Sequence, residues 1–231
     1  MKTKAGRVER YIYERLEEKG ALMFMLVDPV DYKTPEAAIK TAKDASEGGA
    51  DLILVGGSIG AQGELLDTVT KGIKDVVSSP VVLFPGNIAT LTKYADAMYF
   101  MSLLNARSTY WITHAQMLSA PIVKHMGIEP LPVGYVVVSP GGTVGWVGDV
   151  NLVPREKSKI AAAPIMSSRY IGPTLRYLES SVIVFPPDSA TRSSMGIMSS
   201  SSMSNTPLLS LLGNTYAALG RTSLSLYDTI L

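Results

Sequence analysis

Residues able to bind or move charge stand just after short apolar runs in this sequence. Asp28 follows "ALMFMLV" (21–27), while Gly56, Gly57 and Ser58 follow "ADLILV" (50–55). Pro85 and Gly86 follow "PVVLF", and Ser102 and Asn105 close "ADAMYFMS". The stretch "YVVVSPGGTVGWVGDVN" (135–151) runs from three valines into a segment carrying Gly141, Gly142, Gly145, Gly148, Trp146 and Asp149. A carboxylate and a hydroxyl are hard oxygen donors suited to a small divalent cation. Glycines let a backbone approach a ligand closely, and a tryptophan supplies a flat apolar wall. Taken singly, each has an ordinary structural explanation. Asp28 suits a turn or a helix cap, Ser58 suits an N-cap for a helix starting near Gln62, and the glycine segment suits a tight turn around one packed aromatic.

The elements that must position these residues alternate along the chain. A charged amphipathic helix is expected in "VERYIYERLEEK", its polar face solvated. Strand-like runs then alternate with helical patterns: 21–28 with 34–49, 50–57 with 63–79, 80–86 with 87–95, 95–102 with 108–127, and 132–139 with 154–172; a sixth strand is expected in "TLRYLE" (174–179). Parallel neighbours need a crossover connection, so this alternation predicts successive parallel βα units. The architecture expected is a TIM-type (β/α)8 barrel. Every residue named above then stands at a strand C-terminal end, where such barrels place their chemistry, and their convergence on one mouth outweighs any single motif.

Composition excludes several alternatives. The 231 residues carry 21 Lys and Arg against 20 Asp and Glu, a balance that does not point to nucleic acid. No cysteine is present, which removes disulfides, thiolate catalysis and zinc–thiolate sites, and the two histidines, His114 and His125, fall on an amphipathic helix pattern where surface or packing roles are expected. The 11 methionines read as core filler. The N-terminus lacks the apolar centre of a signal peptide, and the longest apolar run is far short of the ~20 residues that span a bilayer, so no transmembrane segment and a cytoplasmic location are expected.

With the strand ends assembled, residues 5–179 resemble the geranylgeranylglyceryl phosphate synthase family, which includes the bacterial heptaprenylglyceryl phosphate synthases. The resemblance rests on "LVDPVDY", "GADLILVGGSIG", "PVVLFPGN", "YFMSLLNARSTYWITHAQ", "VGYVVVSPGGTVGWVGD" and "SSRYIGPTLRYLE", in family order and spacing. It implies a prenyltransferase joining sn-glycerol 1-phosphate to geranylgeranyl diphosphate through an ether bond, with Mg2+ as cofactor, Asp28 and Ser58 as metal positions, and a homo-oligomer. It also implies that Tyr177, Leu178 and Glu179 grip the glycerol hydroxyls, with Glu179 orienting or deprotonating the attacking oxygen, while Gly141, Gly142 and Gly145 line the polar substrates. Tyr99 and Phe100 could line a prenyl groove or simply pack. One departure is in the first motif, where Asp28-Pro29-Val30-Asp31 stands for the family's Asp-Pro-Asp-Lys, leaving Lys33 as the nearest replacement for the lysine.

The resemblance stops after "YLE". From Ser180 to Leu231, 52 residues hold 13 serines and four charged side chains, and none of the three glycine-rich phosphate-cup motifs expected of the family is recognisable. Residues 1–179 therefore read as the barrel portion and 180–231 as an atypical Ser-rich tail, the last two βα units being aberrant or missing. The junction inside a motif is consistent with reading in a shifted frame, a natural low-complexity tail being the alternative. Another phosphate-ligand barrel enzyme, an isomerase or aldolase, would show a catalytic lysine or paired acids at strand ends; no strand-end lysine is visible. An inactive product of the same lineage is the remaining alternative.

Overall fold

The computed structural model describes residues 5–170, 182–185, 194–198 and 216–218. They form a parallel α/β fold in two compact units, one of residues 1–99 with 118–131 and one of residues 100–117 with 132–231.

The first unit opens with α1 (Arg7–Lys19), whose buried Val8, Ile12 and Leu16 recur every four residues and form one apolar stripe. The helix stops at Gly20, which takes φ 75° and donates its N–H to the Leu16 carbonyl. β1 (Ala21–Val27) follows, and then α2 (Pro35–Glu47), which begins with Thr34 accepting from the Ala37 N–H and with proline in the first turn. β2 (Leu52–Val55), α3 (Gly63–Val76), β3 (Val81–Leu83) and β4 (Ala97–Leu103) complete the run, and β1, β2, β3 and β4 pair in parallel in that order. All four residues of β2 are buried, the pattern of a parallel strand covered on both faces. Helices α2 and α3 pack closely because Gly72 has no side chain: a Cβ there would lie 2.3 Å from Ile39 Cδ1.

In the second unit a π-turn (Tyr110–His114) leads into α4 (Ala115–Met126), which passes back to the first unit before β5 (Glu129–Val137) returns. Next come α5 (Gly142–Val147) and α6 (Ser158–Tyr170), with Val136, Val138 and Val153 buried together against Leu104 and Ala161. β6 (Val182–Phe185) pairs in parallel with β5 and antiparallel with β8 (Tyr216–Ala218), which pairs in parallel with β7 (Ser194–Met198).

Two expectations need correction. Residues 87–95 are not a helix but a chain of turns: Asn87 Oδ1 accepts from the Ala89 N–H, and Thr90 Oγ1 accepts from the Asn87 N–H while donating to its carbonyl. Asn and Thr side chains that bond their own backbone compete with helix formation, and here they win. The 139–148 segment contains α5, so the glycines sit in and around a short helix, not in an extended loop. The expected sixth strand, 174–179, lies outside the described residues, as does most of 180–231.

The strand N-terminal ends of the first unit are held by half-buried acids. Glu129 accepts from the Val8 and Glu9 N–H groups at 2.8 and 2.9 Å, capping α1 from another element, and Gly6 makes room, since a Cβ there would lie 2.1 Å from the Glu129 carboxyl carbon. Asp96 accepts from Lys74 at 2.6 Å, from the Val81 N–H at 2.9 Å and from Arg7. Burial opposes the charged form of Asp96, but the bonds from Lys74, Val81 and Arg7 outweigh it and hold the carboxyl below the usual aspartate range. A depressed pKa adds stability that is complete above the unfolded aspartate value and disappears as pH falls through the folded one. Asp96→Asn should therefore cost about 2–3 kcal/mol at neutral pH. The difference from the parent should shrink below about pH 4. Urea midpoints of both chains, measured across that range, check both the size and the sign.

Candidate active site

In the first unit the C-terminal ends of β1, β2 and β3 converge on one glycine. Gly56 follows β2, donates its N–H to the Val27 carbonyl at 3.0 Å, and is buried. A Cβ on Gly56 would lie 2.7 Å from Asp28 Oδ1, 2.9 Å from Leu26 Cδ1 and 3.4 Å from the Phe84 carbonyl. Asp28 is thus turned across the end of β2. It occupies the cap position of the turn Pro29–Asp31, yet its side chain makes no capping bond there, so the capping explanation does not account for the carboxylate.

Ser58 is positioned by two further glycines. Gly57 takes φ 125°, a conformation that side chains rarely adopt, and a Cβ there would lie 2.6 Å from Ala61 Cβ. Gly86, after β3, packs its backbone on this turn: its Cβ would lie 2.5 Å from the Gly57 carbonyl, 2.9 Å from Ser58 Cα and 3.0 Å from the Ser58 carbonyl. Ser58 is half-buried and is not the cap of α3; Gln62 holds that position, without a side-chain bond. Among the described residues no group of three or more His, Asp or Glu is arranged to hold a metal. The donors present, one carboxylate and one hydroxyl, still fit Mg2+, which is commonly bound by one or two carboxylates and completes its shell with water and substrate phosphates. Lys33 is exposed. Tyr99 is only 3% exposed and meets Phe84 edge-on at 5.4 Å, a packing role; burial pushes its phenol pKa up. Phe100 is half-buried.

In the second unit the glycine segment is clasped to the chain after β4. Asn105 accepts from the Val137 N–H at 3.0 Å and donates to the Val137 and Asn151 carbonyls at 2.9 and 3.0 Å. Ala106 and Val150 form an antiparallel bridge beside it. Arg107 donates from its backbone N–H to the Asp149 carbonyl at 2.9 Å and from its guanidinium to Asp149 Oδ1 at 3.2 Å. Asp149 itself takes φ 46°. The sequence reading missed the Arg107–Asp149 pairing, because its partners are 42 residues apart and carry no local signal.

The three glycines expected to line substrates divide by role. Gly141 and Gly145 have Cβ positions 2.5 and 3.2 Å from Leu152 Cδ2, so both lie where the segment folds onto Leu152. Gly142, at φ 54°, has nothing within 4 Å and is the one facing open space. Trp146 is 83% exposed, so the expected packed aromatic is not realised. Tyr177, Leu178 and Glu179 lie outside the described residues. His114 and His125 are exposed, as expected.

Gly86→Ala should be costly, because the clash is with the Gly57 and Ser58 backbone and no flexible side chain can yield. A loss of about 1–3 kcal/mol in unfolding free energy is expected. Gly142→Ala, facing open space, should lose less, arising only from its backbone conformation. Thermal unfolding of the two variants tests the order.

The model of the PcrB family matches residues 13–200. The geranylgeranylglyceryl phosphate synthase of Thermococcus sibiricus is 55% identical over 176 residues, covering 76% of this chain and 68% of that protein. The synthase of the same name from Pyrococcus horikoshii is 54% identical over 174 residues, covering 75% and 68%. Among solved structures, (S)-3-O-geranylgeranylglyceryl phosphate synthase from Thermoplasma acidophilum, in complex with its substrate sn-glycerol-1-phosphate, superimposes with a TM-score of 0.70 at 25% identity, covering 98% of this chain and 96% of that one.

Proposed function

The chain belongs to the PcrB family, and on that premise we propose that it is a geranylgeranylglyceryl phosphate synthase on a TIM-type barrel. The observation that carries this reading is the Asp28 carboxylate held across the end of β2 against Gly56, beside a Ser58 turn packed backbone to backbone with Gly86. In the proposed reaction the C3 hydroxyl of sn-glycerol 1-phosphate attacks C1 of geranylgeranyl diphosphate; the C1–oxygen bond to diphosphate breaks and the ether bond forms. Diphosphate departs with its bonding electron pair, and the hydroxyl proton passes to a base.

Asp28 and Ser58 are assigned to Mg2+ together with diphosphate oxygens; when bound, the ion would offset the charge of the leaving group. Gly57 and Gly86 keep the Ser58 turn in one conformation, so the donors need little reorganisation on binding. The base is assigned to Glu179, and the glycerol hydroxyls to Tyr177, Leu178 and Glu179, from the resemblance of "YLE" to the family motif. Gly142, open to its surroundings, is the glycine best suited to backbone approach by a polar substrate, with Gly141 and Gly145 shaping the turn that presents it. The Asn105 and Arg107–Asp149 clasp fixes both ends of that turn.

No described helix is long and apolar enough to cross a membrane. A cytoplasmic, homo-oligomeric enzyme is the form proposed. The residues from Ser180 onward lack the family's glycine-rich phosphate motifs, so turnover is expected to be low in the chain as it stands.

Two substitutions test the assignment, with labelled glycerol 1-phosphate and geranylgeranyl diphosphate as substrates. Asp28→Asn keeps the shape and removes the charge, and should raise the Mg2+ concentration needed for half-maximal turnover without unfolding the chain. Unchanged Mg2+ dependence would remove Asp28 from the metal site. Glu179→Gln removes the base, and turnover should fall by ~10²-fold or more. If activity is too low to follow, a chimera carrying residues 1–179 followed by the C-terminal part of the Thermococcus sibiricus synthase supplies the background. An inactive chimera would count against the synthase reading of residues 1–179.

A further inference from the structure

The first unit carries a concavity of about 360 Å3 at the strand N-terminal edge of its sheet. It lies between α1, the end of α3 and the residues that precede β3 and β4, and is lined by Arg7, Arg10, Tyr11, Lys74, Ser78 and Asp96 among others. Pro80 and Asp96 stand immediately before β3 and β4, whereas Asp28, Gly56 and Gly86 stand after β1, β2 and β3. The parallel strands therefore separate this cavity from the proposed catalytic donors.

Its charge is unbalanced in a particular way. Three cations meet two carboxylates, Asp96 and Glu14. Asp96 is already committed, bonding Lys74, Arg7 and the Val81 N–H. Arg10 is exposed and forms no ion pair among the described residues, although Glu14 lies one turn further along α1; its guanidinium makes a long 3.4 Å contact to the Ala5 carbonyl. A guanidinium has five donors in a planar fork, so most of those of Arg10 remain to be used. Lys74 and Arg7 each have donors beyond the one that Asp96 takes. Ser78, which also lines the cavity, carries a hydroxyl that could serve as an uncharged donor.

A planar fork, two further cations and a hydroxyl around a cavity of this size match a compact anion with several acceptor oxygens better than a lone carboxylate. We propose that this cavity is a binding site for a small phosphoryl anion, recognised by Arg10 with Arg7, Lys74 and Ser78. The bound anion would bridge α1 to the α3–β3 connection. It would thereby stabilise the docking of the N-terminal helix, which Glu129 caps and Asp96 already ties through Arg7 within the cavity.

The test uses the full chain and inorganic phosphate, with amide chemical shifts as the readout. Phosphate should perturb the amides of residues 7–14 and 78–79 with a single saturating curve. Arg10→Met removes the charge at an exposed position and should weaken binding at those amides by about tenfold or more. Glu14→Gln removes the opposing carboxylate and should tighten it. Phosphate should also raise the thermal midpoint of the parent chain more than that of Arg10→Met. Shifts confined to the strand C-terminal loops, equal binding by parent and Arg10→Met, or no perturbation at millimolar phosphate would each overturn the proposal, as would weaker binding in a folded Glu14→Gln.

Discussion

At the C-terminal ends of β1, β2 and β3 there is no space for a Cβ atom, and the candidate catalytic geometry depends on that constraint. Gly56 lets the Asp28 carboxylate lie across the end of β2, and Gly86 lets the chain after β3 rest on the Gly57–Ser58 turn. A Cβ at Gly56 would press on the Asp28 carboxylate and the Leu26 side chain, and one at Gly86 would press on the backbone of Gly57 and Ser58. Asp28 and Ser58 are thus placed by close packing at the strand ends, and packed elements position functional groups better than a free loop does.

The two edges of the first unit's sheet divide the work. At the N-terminal ends, Asp51, Asp96 and Glu129 each bond a backbone N–H, and together they tie α1 and its neighbours to the strands: Asp51 takes Lys19 and the Met23 N–H, Asp96 takes Arg7, Lys74 and the Val81 N–H, and Glu129 caps α1. Carboxylates withdrawn from water, wholly for Asp51 and in part for Asp96 and Glu129, need their oxygens satisfied, and these are. At the C-terminal ends the acid is Asp28, whose carboxylate is set against Gly56. Stabilising contacts at the strand N-terminal ends, with the C-terminal ends left to the proposed chemistry, is the arrangement that parallel βα units favour.

The second unit reaches order by a different route. Its glycine segment is held by bonds that converge on Asn105, whose side chain pairs with the backbone of Val137 on β5 and of Asn151. Gly141 and Gly145 fold against Leu152, while Trp146 is left outside. A segment with this many glycines loses more entropy on ordering than most, and the clasp offsets that cost from outside the segment.

Much of this was legible in the sequence because it is local. The apolar stripe of α1, the Thr34-Pro35 start of α2, the fully apolar β2 and the alternation of strands with helices are written in residues a few positions apart, where 3.6-residue and two-residue periods act directly. Asp28 and Ser58 were legible as strand-end residues for the same reason. The turns of residues 87–95 were misread since a helical spacing of apolar residues says nothing of Asn87 and Thr90 bonding their own backbone. Only the tertiary structure decided which glycines meet backbone, which one faces open space, and that Arg7 and Lys74 share Asp96. Arg107 finds Asp149 across 42 residues, and Glu129 finds the start of α1 across 121. Such pairings exist only after the strands have set their register, and no local pattern of residue types encodes them.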